Sequence, residues 1–162
     1  LHTLLDAMPS ILNLMKVKLL VVGEFYDDEQ KYRHQITANN LQNDVVVHSD
    51  YVPNEEVSLY FSAADVVVLP YVSATQSGIV QIAYQFDKPV IATDVGGLAE
   101  VVLDNRTGFI VKPEAPQEVA DAVVRFYEGN REEEFVRNVR EEKKKYSWEN
   151  LIQAIEKLTQ GD

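Results

Sequence analysis

The chain has 162 residues, 26 Asp and Glu against 15 Lys and Arg, a formal net charge of −11 and 46% hydrophobic residues. That length and composition suit one globular domain with a full core. The acidic balance argues against nonspecific binding to nucleic acid or an anionic membrane, and the lack of Cys excludes disulfides, thiolate metal sites and cysteine nucleophiles.

At the amino end, Leu1–Asp6 carries an acid and no basic start, so no secretory leader is read there. A start on Leu is expected of a piece of a longer chain. No apolar run reaches the length of a membrane span. A cysteine-free chain fits a reducing compartment, and a cytoplasmic location is expected.

Apolar runs and helical patterns then alternate. Lys18–Val22, Val45–Val47, Val66–Leu69, Val90–Ala92 and Phe109–Val111 are short, β-branched and nearly continuous. Strands buried on both faces of a parallel sheet read this way. Helices are predicted over 26–42, 54–64, 77–87 and 97–104. Asn54, ahead of Glu55 and Glu56, is the expected N-cap of the second. Pro116 fits a first helical position, and Val119, Val123 and Phe126 recur behind it at helical spacing. Such alternation predicts an α/β fold with a parallel sheet.

The tail differs. Arg131–Lys145 is charge-dense and predicts a solvated helix, with Lys143–Lys145 balancing Glu132–Glu134. Ser147 is the expected cap of a last helix on which Trp148, Leu151, Ile155 and Leu158 form one apolar stripe. That stripe is either exposed or buried by self-association. No repeat or Pro/Gly-rich linker divides the chain, so one domain with a helical extension from about residue 130 is expected.

Four loops follow the predicted strands. Ser73–Gly78 (Ser73, Thr75, Gln76, Ser77 and Gly78 with Ala74) places hydroxyls and a glycine between a strand and a helix N-terminus. Free N–H groups and the helix dipole favour an anion there, although an ordinary turn with a Ser or Thr cap has the same composition. It is neither a Walker loop nor a G-x-G-x-x-G fingerprint. Its place at a strand's carboxyl end favours a ligand. Gly23, Tyr51–Pro53 and Asp94–Gly97 end the other strands. Each is either a plain turn or part of the same site, and Gly96–Gly97 can admit close backbone approach. His2, His34 and His48 are scattered without metal-ligand spacing, so neither a metal nor a cofactor is expected.

Ala64–Pro70, Pro89–Gly97, Glu100–Val102 and Asn105–Val111 resemble the C-terminal, donor-binding domain of retaining GT-B glycosyltransferases, and family 4 above all. Lys18–Gly23, Ser49–Pro53 and Tyr146–Trp148 extend the resemblance nearly end to end, with Asp65–Gly108 its specific part. The resemblance implies a Rossmann-like three-layer α/β/α sandwich forming one half of a GT-B fold. It implies transfer of a sugar from a nucleotide diphosphate sugar to a glycan or related acceptor, with retention and without a required metal. Ser73, Thr75, Gln76, Ser77 and Gly78 would hold the diphosphate, the backbone at Val52 would face the nucleobase, and Gly23 would line the same cleft. The acceptor-binding N-terminal domain would be the partner, and any membrane-surface association would come through it.

Two places depart from that pattern. The family usually carries Glu residues eight positions apart where this chain has Ala74 and Ile82. The second normally binds ribose, which Ile82 cannot do. Two other readings follow: a nucleotide-sugar epimerase of the same fold, or a binding module that kept the fold and lost the site. The resemblance also places a central strand ahead of Leu1. Without it, either the sheet closes into five strands, with Lys18–Val22 paired directly to Val66–Leu69, or another segment or a second chain supplies the missing strand; closure is the expectation.

Overall fold

The structure, a computed structural model, describes residues 1–26, 28–75 and 77–146. Five short strands form: β1 (Leu19–Val22), β2 (Val45–His48), β3 (Val67–Leu69), β4 (Val90–Thr93) and β5 (Gly108–Val111). The helices are α1 (His2–Leu12), α2 (Glu29–Ala38), α3 (Asn54–Ala63), α4 (Gly78–Gln85), α5 (Leu98–Val101), α6 (Pro116–Tyr127) and α7 (Arg131–Glu142). Every strand pair is parallel, as the near-continuous apolar runs require.

The strands make two ladders. β1 pairs with β2, and β4 lies between β3 and β5. Alternation along β4 sends Ile91 to one apolar layer, with α1 and α6, and Val90 and Ala92 to the other, with α4 and α5. Phe109 and Val111 of β5 join the first layer and Ile110 the second. Helices therefore cover both faces of this ladder, and all four residues of β4 are buried. The architecture is a Rossmann-like α/β/α sandwich.

Helix α1 lies along α6. Its apolar residues Leu4, Leu5, Met8 and Ile11 recur at helical spacing and are all buried. Pro9 interrupts its ladder, since proline has no N–H for the Leu5 carbonyl. That carbonyl accepts instead from Asn39 Nδ2 at 3.3 Å, which ties α1 to the end of α2.

The expected closure of the sheet does not occur: β1 and β3 are not paired. Pairing two strands needs their edges at ladder distance, and α1 and α6 hold β1 and β3 on one shared apolar layer without bringing them together. Other expectations are also revised. The helix predicted over 26–42 is shorter, capped by the Asp28 side chain accepting from the Gln30 N–H at 2.9 Å. Asn54 is the first helical residue and Pro53 holds the cap position, without a side-chain cap bond.

The charged segment after 131 is not simply solvated. Phe135, Val139 and Glu142 of α7 are buried, and Phe135 meets Phe109 edge-on at 5.2 Å. The three lysines balance different acids from those expected. Lys143 bonds to Asp87, Lys144 to Glu141 and Lys145 to Glu142. Ser147 and the Trp148 stripe, with the self-association inferred from it, lie outside the described residues.

Candidate functional site

The carboxyl ends of the parallel strands carry the four loops singled out above, and a set of buried bonds positions the one after β3. Thr93, fully buried at the end of β4, donates from Oγ1 to the Tyr71 carbonyl at 2.7 Å. This fixes where β3 ends and the Ser73–Gly78 loop begins. Helix α4, into which the loop runs, is held by Tyr84. Its hydroxyl donates to the Thr107 Oγ1 at 2.7 Å and lies 3.1 Å from the Val101 carbonyl. Burial pushes the Tyr84 phenol up to about 12, so it stays a neutral donor at physiological pH.

The loop is clamped from the side by the turn after β4. The Gly97 N–H donates to the Thr75 carbonyl at 2.8 Å. Gly96 has φ +54°, and a Cβ there would lie 2.0 Å from the Ala74 carbonyl oxygen and 2.7 Å from that of Thr75. Only glycine allows this backbone-on-backbone contact. Of the two readings of Gly96–Gly97, close approach is the one realised, and what approaches is the neighbouring loop.

At the mouth, Ser73, Thr75 and Gly78 are exposed and Ser77 is half-buried. Ser77 sits in the N-cap position of α4 with extended backbone, and its side chain makes no cap bond. Its Oγ lies 3.5 Å from the Tyr71 hydroxyl. Its carbonyl accepts from the Val80 N–H at 3.3 Å, while its side chain leaves the first turn uncapped. Gly78 has open space where a Cβ would stand. Gln76 lies outside the described residues. Ala74 packs against the second apolar layer, and Ile82 is half-buried on α4.

Gly23 continues the β1 ladder, donating its N–H to the His48 carbonyl at 3.0 Å, and turns out of it with φ +121°. Val52 and Pro53 are half-buried beside an exposed Tyr51. The histidines do not converge. His48 lies tilted against Tyr60 at 5.5 Å, and among the described residues no group of three or more His, Asp or Glu is arranged to hold a metal.

Sequence reasoning missed the clamp's partners. Thr93, Tyr84 and Thr107 are ordinary residues in the sequence, and their signal is burial of a polar group, which only the packing reveals.

The family model described as "Glycosyl transferases group 1" matches residues 1–129. A "D-inositol 3-phosphate glycosyltransferase" of Paenarthrobacter aurescens is 39% identical over 85 residues, covering 52% of this chain and 21% of that protein. Among solved structures, Anabaena Alr3699/HepE in complex with UDP superposes with a TM-score of 0.83 at 23% identity, over 99% of this chain and 45% of that one. The C-terminal domain of LpcC, a glycosyl transferase group 1 family protein of Francisella tularensis, superposes at 0.81 and 19% identity, over 91% of this chain and 79% of that one. The segment matched to the Paenarthrobacter protein thus spans about a fifth of that relative's length.

Proposed function

From the premise that this chain belongs to the group 1 glycosyl transferases, we propose that it is their donor-binding domain and holds the diphosphate of a nucleotide diphosphate sugar at Ser73–Gly78. The observation that carries this is the N-terminus of α4. Its cap serine leaves the first-turn donors unbonded by its own side chain, and the loop ahead of it is clamped by Gly96 and Gly97. Prepositioned donors at a helix start favour an anion without reorganising. The UDP complex of the Anabaena neighbour supports this choice of ligand class.

In this reading the Ser77 and Gly78 N–H groups meet phosphate oxygens, with the hydroxyls of Ser73, Thr75 and Ser77 around them. Gln76 completes the loop. Val52 offers backbone to the base, and Gly23 lines the floor. Sugar transfer proceeds with retention through positioning and stabilisation of charge on the leaving diphosphate. The acceptor and any general base come from a second domain, so residues 1–162 alone transfer no sugar. The setting is cytoplasmic; among the described residues no helix is long and apolar enough to cross a membrane.

Titration with UDP, GDP and ADP tests the reading. Half a cleft binds with Kd of about 0.1–1 mM, or roughly −5.5 to −4 kcal/mol. Ser77→Asp places a fixed negative charge against the diphosphate and weakens binding about tenfold or more. Equal affinity in Ser77→Asp and the parent would remove the diphosphate from this loop. If none of the three nucleotides binds, the chain is a module that kept the fold without the site, the reading that Ala74 and Ile82 favour.

A further inference from the structure

We propose that the Ser77 side chain is a latch on the N-terminus of α4 and that Tyr71 is the positioning residue that holds it open. With its hydroxyl on Tyr71, Ser77 leaves the first turn of the helix to an anion. For its ligand the proposal rests on the diphosphate reading of Ser73–Gly78; the latch itself rests on geometry. The first observation is a cap position that is built and not used. Ser77 has φ −134° and ψ 115°, the extended backbone of an N-cap residue, directly ahead of Gly78–Gln85. A serine so placed ordinarily accepts from the N–H two or three residues on, here Ile79 or Val80. The Ser77 side chain makes no such bond.

The second observation is a rival partner. The Ser77 Oγ lies 3.5 Å from the Tyr71 hydroxyl. Tyr71 is fixed through both its backbone and its ring. Its carbonyl accepts from the buried Thr93 Oγ1 at 2.7 Å, and its side chain packs against the second apolar layer. The Tyr71 hydroxyl therefore stands at a set place, while Ser77 needs to turn about χ1 alone. Its rotamers are about 120° apart. One oxygen cannot serve both partners, so it is either on Tyr71 or over the helix end.

The two positions differ in what they offer an anion. Over the helix end, the serine oxygen takes a first-turn N–H for itself and sets its own lone pairs where the anion would lie. Val80 already donates to the Ser77 carbonyl at 3.3 Å, so Ile79 is the amide most open to capture. On Tyr71, the oxygen leaves that amide uncapped. A diphosphate only accepts, so its arrival sets the direction of the chain: Tyr71 donates to Ser77, and Ser77 donates to phosphate. A bond completed by the ligand tightens as the ligand binds, and the 3.5 Å contact is expected to shorten in the complex. Tyr71 thus sets the affinity of the loop without touching the ligand.

Tyr71→Phe removes the hydroxyl and keeps the ring. In the 162-residue chain it is expected to weaken UDP binding about fivefold by NMR titration, as Ser77 returns to its helix. Without nucleotide, it slows hydrogen exchange of the Ile79 amide about threefold or more, and the melting temperature does not fall. In the Ser77→Ala background no side chain can cap, and there Tyr71→Phe changes neither affinity nor exchange. A tyrosine that only packs would lower the melting temperature and act equally in both backgrounds. The latch is overturned by equal UDP affinity in Tyr71→Phe and the parent, by an unchanged Ile79 amide, or by an equal loss with and without the Ser77 hydroxyl. If the parent binds none of UDP, GDP and ADP, the diphosphate reading falls by itself, and Ile79 exchange in the two backgrounds still decides the latch.

Discussion

β1 and β4 come from sequences that look alike, Leu-Leu-Val-Val and Val-Ile-Ala-Thr, and they meet different fates. Every residue of β4 is buried, whereas β1 alternates, with Leu20 40% and Val22 38% exposed. The difference lies in what covers them. α4 and α5 close one face of the β3–β4–β5 ladder, α1 and α6 close the other, and α7 reaches both, through Val139 and Phe135. Beside β1 and β2, α3 buries none of its residues and α2 only Ile36. A near-continuous apolar run thus reports the burial a strand is built for, and neighbours decide how much it receives.

The sharpest way to break this comparison is to truncate one side chain in each half. Phe109 is 1% exposed, meets Phe135 edge-on and carries the Arg125 guanidinium 4.6 Å from its ring centroid. Phe109→Ala is expected to cost about 3–5 kcal/mol. Leu20→Ala is expected to cost less than about 1 kcal/mol, because much of that side chain already meets solvent. Urea denaturation of both variants checks this. Comparable losses would mean that the β1–β2 half is as tightly packed as the other.

The glycines sharpen the comparison at the site. Gly96 and Gly23 both have positive φ, but a Cβ at Gly96 strikes the Ala74 carbonyl and one at Gly23 meets nothing within 4 Å. Gly96→Ala therefore displaces the Ser73–Gly78 loop as well as straining the backbone. It is expected to weaken nucleotide diphosphate binding about tenfold, ~1.4 kcal/mol. Gly23→Ala incurs only the φ strain, roughly 1–2 kcal/mol of stability, with a smaller change in affinity. Calorimetric titration with UDP beside a thermal melt separates the two effects. If Gly23→Ala lowers affinity more, the floor of the site lies at β1 and the clamp is secondary.

Much of this was legible in the sequence because it is local. The buried strands follow from runs of β-branched residues, the start of α6 from Pro116, and the candidate loop from its hydroxyls and glycine. Helix α1 had a signal in the spacing of Leu4, Leu5, Met8 and Ile11, but Pro9 interrupts it and Leu1 offers no side-chain cap. The split between β1 and β3 had no signal in the local pattern, since strand pairing is non-local and both runs are apolar enough to be central; only the resemblance, which places a strand between them, pointed to it. The clamp was half legible. Gly96–Gly97 advertised close approach, but that the approaching group is the carbonyl of Ala74 depends on two loops about twenty residues apart.

The smallest expected effect tests how α7 is held to the better-packed half. Asp87 follows α4 and faces Arg140 at 2.8 Å, as well as Lys143. Burial alone would raise its pKa. The hydrogen bonds and charges of Lys143 and Arg140 outweigh burial and hold it below the ordinary 3.8. A carboxyl whose pKa falls on folding contributes stability that is fully present above its unfolded value. That stability is lost as pH falls through the folded value. All three side chains are partly exposed, 26% for Asp87, 30% for Lys143 and 60% for Arg140. Solvent screening therefore keeps the contribution below about 1 kcal/mol. Asp87→Asn is expected to lower the melting temperature slightly at pH 7 and in 0.1 M more than in 1 M salt, roughly a tenfold change of ionic strength. The gap from the parent should close as the pH drops below 3.8. A gap that persists unchanged in acid would mean that Asp87 acts through its shape at the α4 turn, where its φ is +58°, and that its charge contributes nothing.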